Sequence, residues 1–127
     1  MDVKTTFLNG VIAKEVSIEQ RKGFEVEYIR THVCKLNKAL YRLKQAPRDW
    51  YGRIDSFLTS LGFTKSKDDP NLYLKVMDDV HVILLLYVDE LFLISNEKQI
   101  SKCKRKLVAE FEMKDLCLMH YFLGLEV

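Results

Sequence analysis

The chain has 127 residues, 48% of them hydrophobic and 30% charged, with a formal net charge of +2. That length suits one domain whose core needs neither disulfides nor a structural metal, and the apolar content excludes a disordered chain. Cys34, Cys103 and Cys117 leave one thiol unpaired in any scheme, which fits a reduced, intracellular and soluble protein; the apolar runs fall short of the roughly 20 residues that span a bilayer, and Met1-Asp2-Val3-Lys4 opens no signal peptide.

Met1 to Leu8 reads as the tail of a strand, closed by the turn signal Asn9-Gly10. Lys14 to Thr31 is charged and lacks a sustained helical stripe, so it is an irregular excursion or a short hairpin. His32 to Leu36 has strand character, and His32 with Cys34 has no second ligand pair to make a zinc site. Trp50, Ile54, Phe57, Leu58 and Leu61 recur at helical spacing, with Pro47 suited to a first turn and Gly62 to a stop, which predicts a helix over Pro47 to Leu61. Asn71 to Val76 and His81 to Tyr87 are strand-like runs flanking Asp78-Asp79. Val82 to Val88 is nearly all apolar, as in a strand too buried to alternate, and it leads through Asp89 and Glu90 into a further strand, Leu91 to Ile94. Ser95 and Asn96 are N-cap residues, and Ile100, Leu107, Val108 and Phe111 mark a second amphipathic helix over Glu97 to Phe111. Leu116 to Val127 reads as a closing strand broken by Gly124. The order implies an α+β fold, an antiparallel sheet with helices packed on one face.

Two carboxylates at a hairpin tip admit two readings. They form either a polar turn facing water or, since adjacent like charges repel, a site for a divalent cation; magnesium takes one or two carboxylates with substrate phosphates. Charge elsewhere is also uneven. Arg30, Lys35, Lys38, Arg42, Lys44, Arg48 and Arg53 stand against Asp49 alone, with Tyr41, Trp50 and Tyr51 among them. Such a mixture suits phosphates and stacked bases, or else it is a solvated basic face.

Three ordered motifs identify a family. Asp2-Val3-Lys4-Thr5-Thr6-Phe7-Leu8-Asn9-Gly10, the run Leu36-Asn37-Lys38-Ala39-Leu40-Tyr41-Arg42-Leu43-Lys44-Gln45-Ala46-Pro47-Arg48, and Tyr87-Val88-Asp89-Glu90 resemble the reverse transcriptase of copia-type LTR retrotransposons. Ser60-Leu61-Gly62-Phe63, Asp69-Pro70-Asn71-Leu72-Tyr73, Phe111-Glu112-Met113-Lys114-Asp115-Leu116 and Phe122-Leu123-Gly124-Leu125-Glu126-Val127 support the match. The resemblance implies the palm subdomain of a right-hand polymerase and RNA-directed DNA synthesis on a primed RNA or DNA template from deoxynucleotides. It further implies catalytic Asp2, Asp89 and Glu90, with two magnesium ions held by Asp2 and Asp89. Phe7, Lys44 and Gln45 match nucleotide-binding positions, Phe7 as the ring that would collide with a ribose 2′ hydroxyl. Lys38, Arg42 and Arg48 match nucleic-acid contacts. By resemblance the setting is cytoplasmic.

Several residues depart from the family pattern. Glu90 stands where a second aspartate is usual, and its extra methylene displaces the carboxylate in a site that tolerates about 0.5 Å. In a tight hairpin, Glu is also a poor occupant of a positive-φ position. Arg42 and Cys117 occupy usual glycine positions, and Arg21-Lys22 replaces a Pro-acid pair. Residues 1–127 read as a partial reverse transcriptase domain, a palm with a short fingers remnant, with most of the fingers, the thumb and the ribonuclease H region absent and Asp2 on a fraying terminus. The expectation is a polymerase fragment inactive as this isolated chain. The alternatives are a noncatalytic nucleic-acid-binding module and a relic without selected activity.

Overall fold

Local sequence accounts for most of the boundaries observed. In the computed structural model, residues 1–10, 17–19, 33–35, 44–119, 121–122 and 125–126 are described. In chain order the elements are β1 (Asp2–Val3), a 3-10 turn (Thr6–Asn9), β2 (Ser17–Glu19), β3 (Val33–Lys35), α1 (Ala46–Ser60), β4 (Thr64–Lys65), β5 (Leu72–Met77), β6 (Val80–Tyr87), β7 (Glu90–Ile94), α2 (Glu97–Glu110), β8 (Met113–Lys114), β9 (Tyr121–Phe122) and β10 (Leu125–Glu126). They form two compact units, Met1–Thr6 with Asp55–Val127, and Phe7–Ile54.

The first unit is an α+β layer built on a six-stranded antiparallel sheet of order β4-β5-β6-β7-β1-β8. Because β1 is antiparallel to both neighbours, β7 and β8 run the same way, and α2 carries the chain from one to the other past β1. Opposed residues share a sheet face, so the pairs Tyr73↔Leu84 and Leu86↔Leu91 define one side. Tyr73, Val82, Leu84, Leu86 and Leu91 are all buried there. Both helices meet this side: Tyr73 donates its hydroxyl to Asp55 Oδ1 at 2.7 Å, and Cys103 Sγ lies 3.9 Å from Met77 Sδ. The rings of Phe57 and Phe111 join them edge to face at 5.2 Å.

Chain ends of the helices follow their residues. Gly62, at φ 87°, follows α1 as a left-handed cap. Its N–H bonds Thr59 O at 2.9 Å while Phe63 N bonds Leu58 O at 3.1 Å, the paired pattern of a Schellman stop. Asn96 caps α2, its side chain accepting from Gln99 N at 2.9 Å.

Three expectations are corrected. The β6 run alternates after all, with Val82, Leu84 and Leu86 buried and Ile83 and Leu85 only partly so, because the helices cover one face while cross-strand apolar neighbours shade the other. The C-terminal run does not close the main sheet; β9 and β10 pair with each other. Asp2 does not fray, since β1 is bonded on both edges.

In the second unit, β2 and β3 pair antiparallel with Ile18 opposite Cys34, which gives His32 to Leu36 its expected strand, while most of the excursion or short hairpin expected over residues 14–31 lies outside the described residues. Gly10 follows the 3-10 turn; a Cβ there would stand 3.0 Å from Asp49 Cβ and 3.1 Å from Trp50 N, tighter than ordinary contact, so the close passage of this backbone favours glycine. Arg53 Nη1 bonds Asn9 O at 3.0 Å, and Ala46, Trp50 and Ile54 are buried.

Candidate active site

The two central strands β7 and β1 bring the acids together. Met1 and Leu91 exchange both backbone hydrogen bonds at 2.8 Å, and Val3 N bonds Asp89 O at 2.8 Å. Asp2 and Glu90, opposed between them, are therefore a non-hydrogen-bonded pair, the geometry that sets cross-strand side chains closest. Both alternate away from buried Val3 and Leu91, so they lie on the sheet face opposite the helices. Like charges directly opposed destabilise a sheet unless something compensates.

The turn itself is Val88-Asp89, between the pair Tyr87↔Glu90. Glu90 is thus the first residue of β7 and not a turn residue, contrary to the reading that put it at a strained position. The strain falls on Val88, at φ 54°. A β-branched residue in that region is an outlier, and such outliers gather at functional sites.

One neighbour escaped sequence reasoning. Lys114 of β8 pairs with Asp2 on its other edge, giving the row Glu90, Asp2, Lys114 across three strands on one face. No ion pair joins Lys114 to Asp2 among the described residues. The signal was only its place in Phe111-Glu112-Met113-Lys114-Asp115. Beside the row, Asp115 is held below the ordinary carboxylate range by hydrogen bonds from Lys104 and from Cys117 N. Cys117, a usual glycine position, has φ 62°. Burial lowers the amino group of Met1, while Asp115, Glu90 and Asp2 pull it upward.

The structure gathers Asp2, Asp89 and Glu90, and the remaining candidates belong to the other unit. Phe7 lies half-buried in the 3-10 turn, Gln45 is half-buried where its carbonyl accepts from Asp49 N at 3.0 Å, and Lys44 and Arg48 are exposed. Lys38 and Arg42 lie outside the described residues, as do most of the cations between Arg30 and Lys44.

The donor set can be weighed against magnesium. Among the described residues no group of three His, Cys, Asp or Glu side chains is close enough to hold a metal ion by itself. The hard carboxylate oxygens of Asp2 and Glu90, half-buried on one sheet face, nevertheless match the magnesium mode in which one or two protein ligands are completed by water and substrate phosphates. The acids fit that shared mode and not an all-protein cage.

Comparison with known proteins supplies the class. The model of the reverse transcriptase (RNA-dependent DNA polymerase) family matches residues 1–127, and the chain belongs to that family. It is 45% identical, over all of its length, to the retrovirus-related Pol polyprotein from transposon TNT 1-94 of Nicotiana tabacum, of which it covers 10%. It is 37% identical over 99% of its length to the Pol polyprotein from transposon RE1 of Arabidopsis thaliana, covering 9% of that protein, and 33% identical to a putative transposon Ty5-1 protein of Saccharomyces cerevisiae, covering 42%. The chain is a stretch of reverse transcriptase domain of the copia-type Pol polyproteins and spans about a tenth of the tobacco and Arabidopsis relatives. No solved structure matches it. Among the described residues no helix is long and apolar enough to cross a membrane.

Proposed function

We propose that this chain is the palm portion of a copia-type reverse transcriptase, whose work is RNA-directed nucleotidyl transfer, and that the 127-residue chain alone does not extend primers. The observation that carries the reading is the opposed pair Asp2 and Glu90 beside Asp89, in a chain matched along its length by the family. Divalent ions held by Asp2 and Asp89 would supply activation of a primer 3′ hydroxyl and neutralisation of the leaving pyrophosphate. The residues of the chain do the rest. Asp2, on a strand bonded along both edges, keeps its carboxylate fixed relative to the hairpin. Phe7 restricts the sugar to a deoxyribose, Lys44 and Gln45 hold the nucleotide, and Lys38, Arg42 and Arg48 contact template or primer phosphates.

Glu90 argues for inactivity. Its carboxylate sits one methylene further from β7 than an aspartate would, in a constellation where small misplacement is costly. The test is primer extension on an RNA template with magnesium. The isolated chain is expected to give no product, with or without Glu90→Asp. In a polyprotein-length chain, Glu90→Asp is expected to raise the rate on the order of 10²-fold. Equal rates with and without the change would remove Glu90 from the site, and robust extension by the 127-residue chain would overturn the assignment of inactivity.

A further inference from the structure

Helix α2 carries a concentration of cations that the acidic row does not use. At 3.6 residues per turn, Lys98, Lys102, Arg105 and Lys106 fall within an arc of about 100°. The arc flanks the buried stripe of Gln99, Cys103 and Leu107, with Lys106 about 20° round the helix from Gln99. Glu97 and Glu110, the acids of the helix, lie outside it. Lys98, Arg105 and Lys106 are exposed and form no ion pair among the described residues, whereas Lys102 pairs with Asp78 at 2.7 Å. Alongside is a shallow depression of about 280 Å³ lined by Met77, Lys102, Arg105, Lys106 and Ala109.

An ordinary solvated helix face would interleave charges of both signs. This one places cations at i, i+4 and i+8, like-charge pairs that weaken a helix. Lys98 and Lys102 also stand in its N-terminal half, against the helix dipole, and the last turn has no basic residue. Lys102 serves the fold through its ion pair with Asp78, but Lys98, Arg105 and Lys106 form no ion pair among the described residues, so a ligand is the better account of those three. Four residues of helix rise about 6 Å, so Lys98, Lys102 and Lys106 span about 12 Å, the reach of a short run of phosphates and more than a single anion needs.

We propose that this face of α2 binds the phosphate backbone of single-stranded nucleic acid without regard to sequence, as a contact separate from the acidic row. The choice of nucleic acid among polyanions rests on the reverse transcriptase reading.

The test is fluorescence anisotropy of a labelled single-stranded RNA titrated with the 127-residue chain, without magnesium, over a range of salt concentrations. The triple reversal Lys98→Glu, Arg105→Glu, Lys106→Glu is expected to weaken binding at least tenfold at low salt. It should lower the slope of log affinity against log salt by about 2, since each phosphate contact of a single strand contributes about 0.7. The loss should be the same for unrelated sequences. Should the triple variant lose its circular-dichroism melt, the single changes Lys98→Gln, Arg105→Gln and Lys106→Gln take its place, each expected to remove about 0.7 of slope. Unchanged affinity and slope in a folded variant overturn the proposal. So does tighter, stripe-dependent binding to phosphatidylserine vesicles or to a poly-glutamate peptide than to RNA. The two readings separate by Asp89→Asn in a polyprotein-length chain. If that change abolishes primer extension while the stripe variants bind RNA normally, only the stripe fails. If extension survives it while the stripe variants lose RNA, only the polymerase site fails.

Discussion

Strand β6 ends in two turns of equal length and opposite use. At one end Asp78 and Asp79, between the pair Met77↔Val80, both have positive φ, 50° and 60°. That is the type I′ pattern, and aspartate tolerates it. Asp78 accepts from Lys102 Nζ at 2.7 Å and Gln99 Nε2 at 2.9 Å, so its charge anchors the turn to α2. At the other end only Val88 of Val88-Asp89 is at positive φ, the type II′ pattern, in which glycine is the favoured first residue. Here Glu90, the acid next to Asp89, is opposed to the carboxylate of Asp2 on β1. One turn spends its acid on holding the fold, and the other keeps strain and like charge at the candidate site.

The largest expected effect separates the acids by function. In a polyprotein-length chain, Asp89→Asn should lower primer extension by on the order of 10²-fold or more, whereas Asp78→Asn should leave it within about twofold. A comparable loss from both changes would erase the functional distinction between the turns.

Strain gives the next effect. Val88→Gly should stabilise the chain by about 0.5–1 kcal/mol in urea denaturation, the relief of positive φ exceeding the added freedom of the unfolded chain. Asp79→Gly should yield less than half of that, because aspartate is already tolerated there. Cys117→Gly, at φ 62°, should resemble Val88→Gly. If Asp79→Gly stabilised as much as Val88→Gly, the two turns would be equally strained.

The smallest effect is a pH dependence. Hydrogen bonds from Lys102 and then Gln99 hold the Asp78 carboxyl at about 2. A free aspartate titrates near 3.9, so the stability this residue contributes should be whole above about pH 4 and fall away as pH drops toward 2. The melting temperatures of wild type and Asp78→Asn should differ slightly at neutral pH and converge at about pH 2. A difference that persists there would mean that Asp78 acts through something other than its charge.

The turn comparison also shows where sequence reading stopped short. Two neighbouring acids drew attention to Asp89-Glu90 as the tip, yet face alternation settles the register: Leu86 and Leu91 must both reach the core, so Tyr87 pairs with Glu90 and Val88-Asp89 is left as the loop. Asp55 shows a different limit. Burial would raise its pKa, but hydrogen bonds from Lys65 and Tyr73 outweigh that and lower it. Nothing local predicts that a helix carboxylate will meet a lysine of β4 and a tyrosine of β5.

What the sequence determined by itself was every feature whose cause is local or repeated: α1 from its apolar stripe and Gly62, α2 from Asn96 and its periodicity, the β5–β6–β7 meander, and the family through three ordered motifs. Tertiary structure alone decided the row Glu90, Asp2, Lys114. Strands β1 and β8 are two residues each, too short to carry a periodic signal or to stand unpaired. Their existence, and the face on which Asp2 and Lys114 emerge, come from backbone bonds to partners about a hundred residues away in the chain, as in Lys4 N to Glu112 O at 2.9 Å. Register of that kind is cooperative, set by the sheet as a whole, and no short window of sequence contains it.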